Sequence, residues 1–358
     1  MKNTIFICEL GIATITASCH KATQNPGTTE SFAALEQTVI NDFANNTALP
    51  QYANMVSAAV ALNSAVTTLH SSTTDANLQT AQAAWKTLRT AWEQCEGFLI
   101  GPVEANDYDP NTDTWPTDKT QLDSLLASNN ALQAGDIAVL PQSLRGYHPL
   151  EYMLFGVGGS RTAASLTQKQ KQYMVSLAAD MLNNNIQPLY QSWVSAPTNY
   201  AQQVITAGKG SAAYTKRLDF FLDITSDNGM AGICGEVGSE KMYEPFINKD
   251  STITESPYSD NTLLDFKNNI IGAQNVYLGL NGGKGLKDLV ASQNKSLDNK
   301  IQAQFAAAIS AFNNITVRYE QAIFTQRVQV QQLMDQLAAL KDILENDLTD
   351  FLKQYVKD

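Results

Sequence analysis

The chain's strongest chemical signal is the run Gly146-Tyr147-His148-Pro149-Leu150-Glu151-Tyr152. Pro149 lacks a backbone N–H and suits the first turn of a helix. That placement predicts His148 at the N-cap and Glu151 at the third helical position, with both side chains on one side of the first turn. An imidazole and a carboxylate so placed can share a metal ion or bond each other. They can equally form a plain helix cap, Glu151 facing the dipole and His148 bonding a backbone group. The other histidines, His20 and His70, fall in a polar tether and at a polar helix end, which leaves His148 as the strong imidazole candidate.

A second cluster lies upstream. Arg89, Glu93 and Glu96 follow at spacings of four and three beside Trp85 and Trp92. Such a stripe is ordinarily a solvated helix face with an Arg89–Glu93 pair. Here Gly101-Pro102 and a loop holding Asp107, Tyr108, Asp109, Asp113 and Trp115 follow at once, a composition that suits the edge of a pocket. A zinc hydrolase needs three protein ligands, an open position and a general base. Neither His-Glu-x-x-His nor His-x-x-Glu-His occurs, since Tyr152 follows Glu151. A third ligand would have to come from a distant acid such as Glu96 or Asp113. Oxygen donors with one imidazole suit iron, manganese or calcium at least as well as zinc. No Ser-His-Asp or Cys-His nucleophile pattern stands out, and no phosphate-binding glycine loop is present.

The elements that must carry these groups read as helices. Leu333, Leu337, Leu340, Leu344, Leu348, Phe351 and Tyr355 recur at spacings of three and four, one face of a long amphipathic helix. Ala81, Trp85, Leu88, Trp92, Cys95 and Leu99 form a similar face on a helix expected from Asn77 to Leu99, with Thr74 or Asp75 as its N-cap. Further helices are expected over 51–70, 167–194, 213–224, 263–278 and 297–313. No stretch alternates as a strand with hairpin turns, so the expected fold class is all-α. A composition break near Gly208 to Ser211 divides the chain into residues 31–208 and 209–358, each long enough for a four-helix bundle.

The balance of composition narrows function. Hydrophobic residues make up 44% and charged residues 16%, which marks a globular body. A net charge of −11 argues against nucleic acid, whose phosphates need a basic face, and suits a cationic ligand. Residues 1–30 read as an export signal and tether. Lys2 precedes an apolar run, and Ala17-Ser18 stand before Cys19, the cysteine a lipoprotein signal would acylate. Glu9 and Thr16 depart from the usual pattern, so plain secretion is the alternative. The expected location is the cell envelope, with membrane contact only through that lipid. Cys95 and Cys234 then remain as buried thiols, or as a disulfide that an oxidising compartment would permit.

Several blocks in order resemble the imelysin family. Gly146, His148 and Glu151 match its Gly-x-His-x-x-Glu element. Residues 92–103, from Trp92 to Val103, with Asp113-Thr114-Trp115-Pro116, resemble its other N-terminal signature, and Gly235-Glu236-Val237 with Lys241 a later block. The stretch from Glu255 to Asn261, running into Asp265–Ile270, is similar to members from Bacteroidetes. The resemblance implies two similar four-helix bundles side by side with a functional site at their interface. It implies Arg89, Glu93, Glu96, Asp113, Trp115, His148, Glu151 and Glu236 as that site, with His148, Glu151 and Glu96 as metal donors. Cys95 and Cys234 stand where a small or acidic polar residue is expected. The family is catalogued as M75 peptidases and is linked to iron uptake. The reading that follows is an envelope protein that binds iron or another divalent metal, or a small metal-containing ligand, with iron-uptake components as partners. One alternative is a zinc metallopeptidase using His148 and Glu151 with Glu93 or Glu96 as base, against which the incomplete ligand set argues. Another is a surface scaffold in which the polar junction is interdomain glue.

Overall fold

The computed structural model describes residues 31–357; the export signal, the tether and Cys19 lie outside the described residues. Among the described residues the regular structure is helical, with no β-strand. The helices that matter for the site are α1 (Phe32–Asp42), α2 (Leu49–Ser71), α3 (Asp75–Glu93), α4 (Tyr147–Phe155), α5 (Gln168–Asp180), α6 (Met230–Gly235), α7 (Thr262–Leu278) and α8 (Arg327–Asp342).

Each helix follows from its apolar spacing. Thr74 caps α3, its hydroxyl accepting from the Asn77 N–H at 3.2 Å. Along α3, Leu78, Ala81, Trp85, Leu88 and Trp92 are buried. The α3 face packs on α2, α4 and α7. Leu333, Leu337, Leu340, Leu344, Leu348 and Phe351 are all buried, as their spacing requires. Their helix runs on from α8 through a π-helical stretch, Ile343–Leu348, to Thr349–Tyr355. Similar π-helical stretches occur at Phe43–Ala48, Met181–Ile186 and Glu236–Lys241. Each inserts a wider turn that re-aims the side chains around it. No helix is long and apolar enough to cross a membrane among the described residues.

The α3 helix is shorter than its periodicity predicts. It ends at Glu93, and Glu96–Phe98 forms a tight 3₁₀ turn rather than continuing to Leu99. The cause is the backbone of α7, which presses against this turn. A Cβ on Gly97 would lie 2.6 Å from the Ala273 nitrogen, and one on Gly272 would lie 2.5 Å from the Gln94 carbonyl oxygen. Residues from before and after the composition break therefore touch backbone to backbone. Residues Phe32–Asp358 cluster as one compact unit.

Candidate functional site

The site is assembled around Arg89, which is fully buried. Its guanidinium bonds Glu93 one turn along α3, Asp113 at the end of the short helix Tyr108–Asp113, and Glu255 at 3.0 Å. The Asp265 carboxylate on α7 stands 3.8 Å from Nε. The face of Tyr147 lies 4.8 Å from the guanidinium carbon. A solvated stripe was the ordinary expectation for Arg89 and Glu93. Both are instead buried, because they share one face of the helix with Trp85 and Trp92, which must be covered. Burying a cation this deeply requires opposite charges in contact.

Asp113 is held from three directions. It bonds Arg89, accepts from the Trp92 indole N–H at 2.7 Å, and lies 3.0 Å from His148 Nε2. That last contact is off the line a hydrogen bond needs, so it is a charge contact. Burial alone would raise the Asp113 carboxyl, but Arg89 and His148 outweigh it and hold the group well below the usual carboxylate range. Burial alone would lower the His148 pKa, yet Asp113 and Glu151 beside it lift it to about 9.

His148 does not cap its helix. Helix α4 begins at Tyr147 with Gly146 as N-cap, which puts His148 one residue inside the helix. Gly146 has φ +74°, and a Cβ there would sit 1.9 Å from the Thr112 carbonyl oxygen. Only glycine permits that approach, and it is this approach that brings His148 beside Asp113. Glu151 is also buried, but its Oε1 is committed to another task. It accepts from the N–H of Tyr258 at 3.0 Å, and from the N–H and hydroxyl of Ser259 at 2.7 Å each. Its Oε2 stands 3.9 Å from His148 Nδ1.

Glu96 lies behind Trp92, accepting from the indole N–H at 3.0 Å, and Asn269 on α7 donates to both Glu93 and Glu96. Burial pushes the Glu96 carboxyl well up, against the pull of Lys241. Trp115 is half-buried, its indole donating to the Thr254 carbonyl at 2.9 Å. Glu236 sits at the rim, paired with Lys241 at 3.0 Å, and Lys241 lies 3.5 Å from Glu255. The π-helical stretch Glu236–Lys241 is what presents both residues of that pair.

All eight residues implied by the resemblance thus lie in or at the edge of one polar cluster. Glu255, Asp265, Lys241 and Asn269 belong to it as well. No local spacing marks them as partners of Arg89, because they approach it only through the packing of α7 and the segment before it. All four did stand in the resembling blocks, which was the available signal. Cys95 and Cys234 are both buried and free. Burial pushes the Cys95 thiol up, with Glu96 adding to it, so it stays protonated.

Among the described residues, two overlapping groups have ligand atoms within 4.8 Å of one another: Asp113, His148 and Glu255, and Glu93, Glu96 and Asp113. Glu151 is in neither group, and His148 and Glu96 do not share one. Glu96 and Asp113 of the second group reach solvent through a cavity of about 210 Å³ whose lining is completed by Asp109, Glu236, Glu240, Glu244, Trp115 and one cation, Lys241. Burial and neighbouring Asp113 push Asp109 up to about 7. The buried cations Arg89, His148 and Lys241 face the carboxyls of Glu93, Glu96, Asp113, Glu151, Glu255 and Asp265. Acid exceeds base, so the excess must be met by protons or by a further cation. Burial lifts Asp265 to about 7 even though Arg89 opposes it, which is the proton solution at that position.

The imelysin family profile matches residues 48–345. The chain belongs to the imelysin family. It is 30% identical over 346 residues to iron-regulated protein A of Synechococcus elongatus, covering 94% of this chain and 90% of that one. It is also similar to a crystal structure provisionally described as an iron-regulated protein A precursor from Parabacteroides distasonis. That match has a TM-score of 0.83 and 26% identity, covering 92% of this chain and 97% of the other. An imelysin-like protein from Psychrobacter arcticum shares the fold, with a TM-score of 0.71, 15% identity, and 90% and 96% coverage. In this imelysin the all-helical fold expected from sequence is present, and Gly146 shows the steric reason for a glycine two residues before the histidine.

The His148 pKa has a consequence for stability. A folded value near 9, above the ordinary 6.5, means that its contribution is fully present below pH 6.5 and is lost as pH rises through 9. Metal-free wild type is expected to lose about 3 kcal/mol across that window, and His148→Gln to lose less, the raised Glu96 carboxyl supplying what remains. Urea unfolding at several pH values reads both. A wild-type stability flat over the window would refute the charge assignment.

Proposed function

We propose that this imelysin binds a metal cation as its ligand, through the acidic opening that ends at Glu96 and Asp113. The observation that carries the reading is the joining of an acid-lined cavity to a buried carboxylate group. Glu96, Asp113 and Glu93 offer hard oxygen donors, which suit iron, manganese or calcium. His148 and Glu255 stand behind Asp113, with Glu255 Oε2 buried and unpartnered. An unsatisfied buried carboxylate oxygen is costly, and a cation with its waters would satisfy it. Glu151 acts as a staple, fixing the α4 turn to the Tyr258-Ser259 backbone. The kinship with proteins named iron-regulated protein A supports iron as the cation and iron supply as the context. Residues 31–208 contribute Arg89, Glu96, Asp113 and His148, and residues 209–358 contribute Lys241, Glu255, Asp265 and Asn269. On the reading of two bundles divided near residue 208, both halves would supply the site. Export, with a lipid on Cys19, belongs to the same reading.

Anaerobic calorimetric titration with ferrous, manganous and zinc ions tests it. Wild type is expected to bind at least one of them, and Glu96→Gln and Asp113→Asn to lose about tenfold or more in affinity. His148→Ala is expected to weaken binding less than Asp113→Asn. Wild type that binds none of the three, or variants that bind as wild type does, would overturn the proposal. Cleavage of an unfolded protein by the metal-loaded chain, abolished by His148→Ala, would favour the peptidase reading instead.

A further inference from the structure

A larger cavity adjoins the Trp115–Thr117 segment and has the opposite character. Its volume is about 610 Å³, and its lining includes Pro116, Val157, Ile253, Pro257, Lys119 and Arg318. Small organic ligands occupy cavities of roughly 300–1,000 Å³ with mostly apolar walls and a few polar groups. The wall is held in place: the N–H of Tyr258, which also lines it, is bonded to Glu151.

The lining's charge is unusual for a chain with net charge −11. Lys119 and Arg318 each have one carboxylate partner, Asp123 and Asp260, in exposed pairs. Exposed pairs of this kind are weak, so both cations remain able to engage a ligand. The one acid in the lining is Glu320. Its Oε1 accepts from the hydroxyls of Thr254 at 2.9 Å and Thr262 at 2.7 Å, while Oε2 is buried and unpartnered. Burial raises its pKa, which favours the neutral form. Thr117, also in the lining, has a buried hydroxyl with no partner.

We infer that this cavity binds an organic anion with an apolar body, its carboxylate held by Lys119 and Arg318 and its body against Val157, Ile253 and Pro257. Electrostatics sorts the two openings: a cation is drawn to the acidic one and repelled here, and an anion the reverse. The inference stands whether or not the acidic opening takes a metal.

The test uses metal-free full chain and three probes with one ring system: naphthoate, naphthylmethanol and naphthylmethylammonium. Calorimetry is expected to show naphthoate binding about tenfold tighter than the alcohol, with the ammonium weakest. The double variant Lys119→Gln, Arg318→Gln should bring naphthoate to within about twofold of the alcohol while the alcohol still binds. Both positions are exposed, so the double variant is expected to melt as wild type does. Ile253→Trp should fill the space and weaken all three probes. No saturable binding of any probe at millimolar concentration would overturn the inference. So would an ammonium that binds as tightly as the carboxylate, or an Ile253→Trp variant with unchanged affinities. Because the protein is metal-free throughout, these outcomes leave the cation proposal untouched.

Discussion

Replacing Arg89 with Met is expected to cost about 3–5 kcal/mol of folding stability, the largest loss from any single charge in the molecule. The guanidinium is the shared partner of Glu93, Asp113 and Glu255, and Asp265 lies 3.8 Å away. Removing it leaves these carboxylates together in a dry interior with only His148 and Lys241 to balance them. Like charges so placed cannot all stay ionised, and the folded state must take up protons or open. The loss should therefore shrink as pH falls toward the carboxylate range. Adding Asp113→Asn to Arg89→Met should recover part of it, because one unpaired charge is then gone. Guanidinium unfolding of wild type, each single variant and the double variant reads the coupling directly. A loss below about 1 kcal/mol for Arg89→Met would mean that the carboxyls around it are already protonated and the hub is misassigned.

A similar disruption is expected from a single methyl group at Gly272. Its Cβ would lie 2.5 Å from the Gln94 carbonyl oxygen and 2.9 Å from the Gln94 Cα, which are backbone atoms with no rotamer to yield. Gly272→Ala must therefore push α7 away from the Glu96–Phe98 turn. The expected cost is about 2–4 kcal/mol, at the upper end for overpacking. The site should suffer with the fold, because Asn269 on α7 reaches Glu93 and Glu96 across this crossing. Metal affinity, where it is measurable, should drop in parallel with stability. Gly135→Ala is the control: nothing lies within 4 Å of its added Cβ, and its stability should shift by no more than about 1 kcal/mol. Thermal melts that place Gly272→Ala beside Gly135→Ala would show that α7 can slide without loss. The close approach would then not set the geometry of the site.

Both cases separate what is local from what is not. The spacing of Ala81, Trp85, Leu88 and Trp92 determined α3 and its buried face, because a helix repeats every 3.6 residues whatever it packs against. The spacing of Leu333 to Phe351 did the same for the last helix. Gly146, His148 and Glu151 could be singled out by type and spacing, and the resembling blocks gathered the acids around them. Tertiary structure alone decided where α3 stops, because the halt at Glu93 comes from the α7 backbone meeting Gly97. It alone turned the Arg89–Glu93 stripe from a surface pair into a buried hub, and made Glu151 a staple to Tyr258 and Ser259. It also recruited Lys241, Glu255, Asp265 and Asn269, whose roles depend on contacts with residues far away in sequence. Periodicity reports which face of a helix is buried; it does not report which distant charge will be buried against it. That choice is set by how closely two backbones can approach, and here it was set by glycines whose importance shows only when the opposing chain is in place.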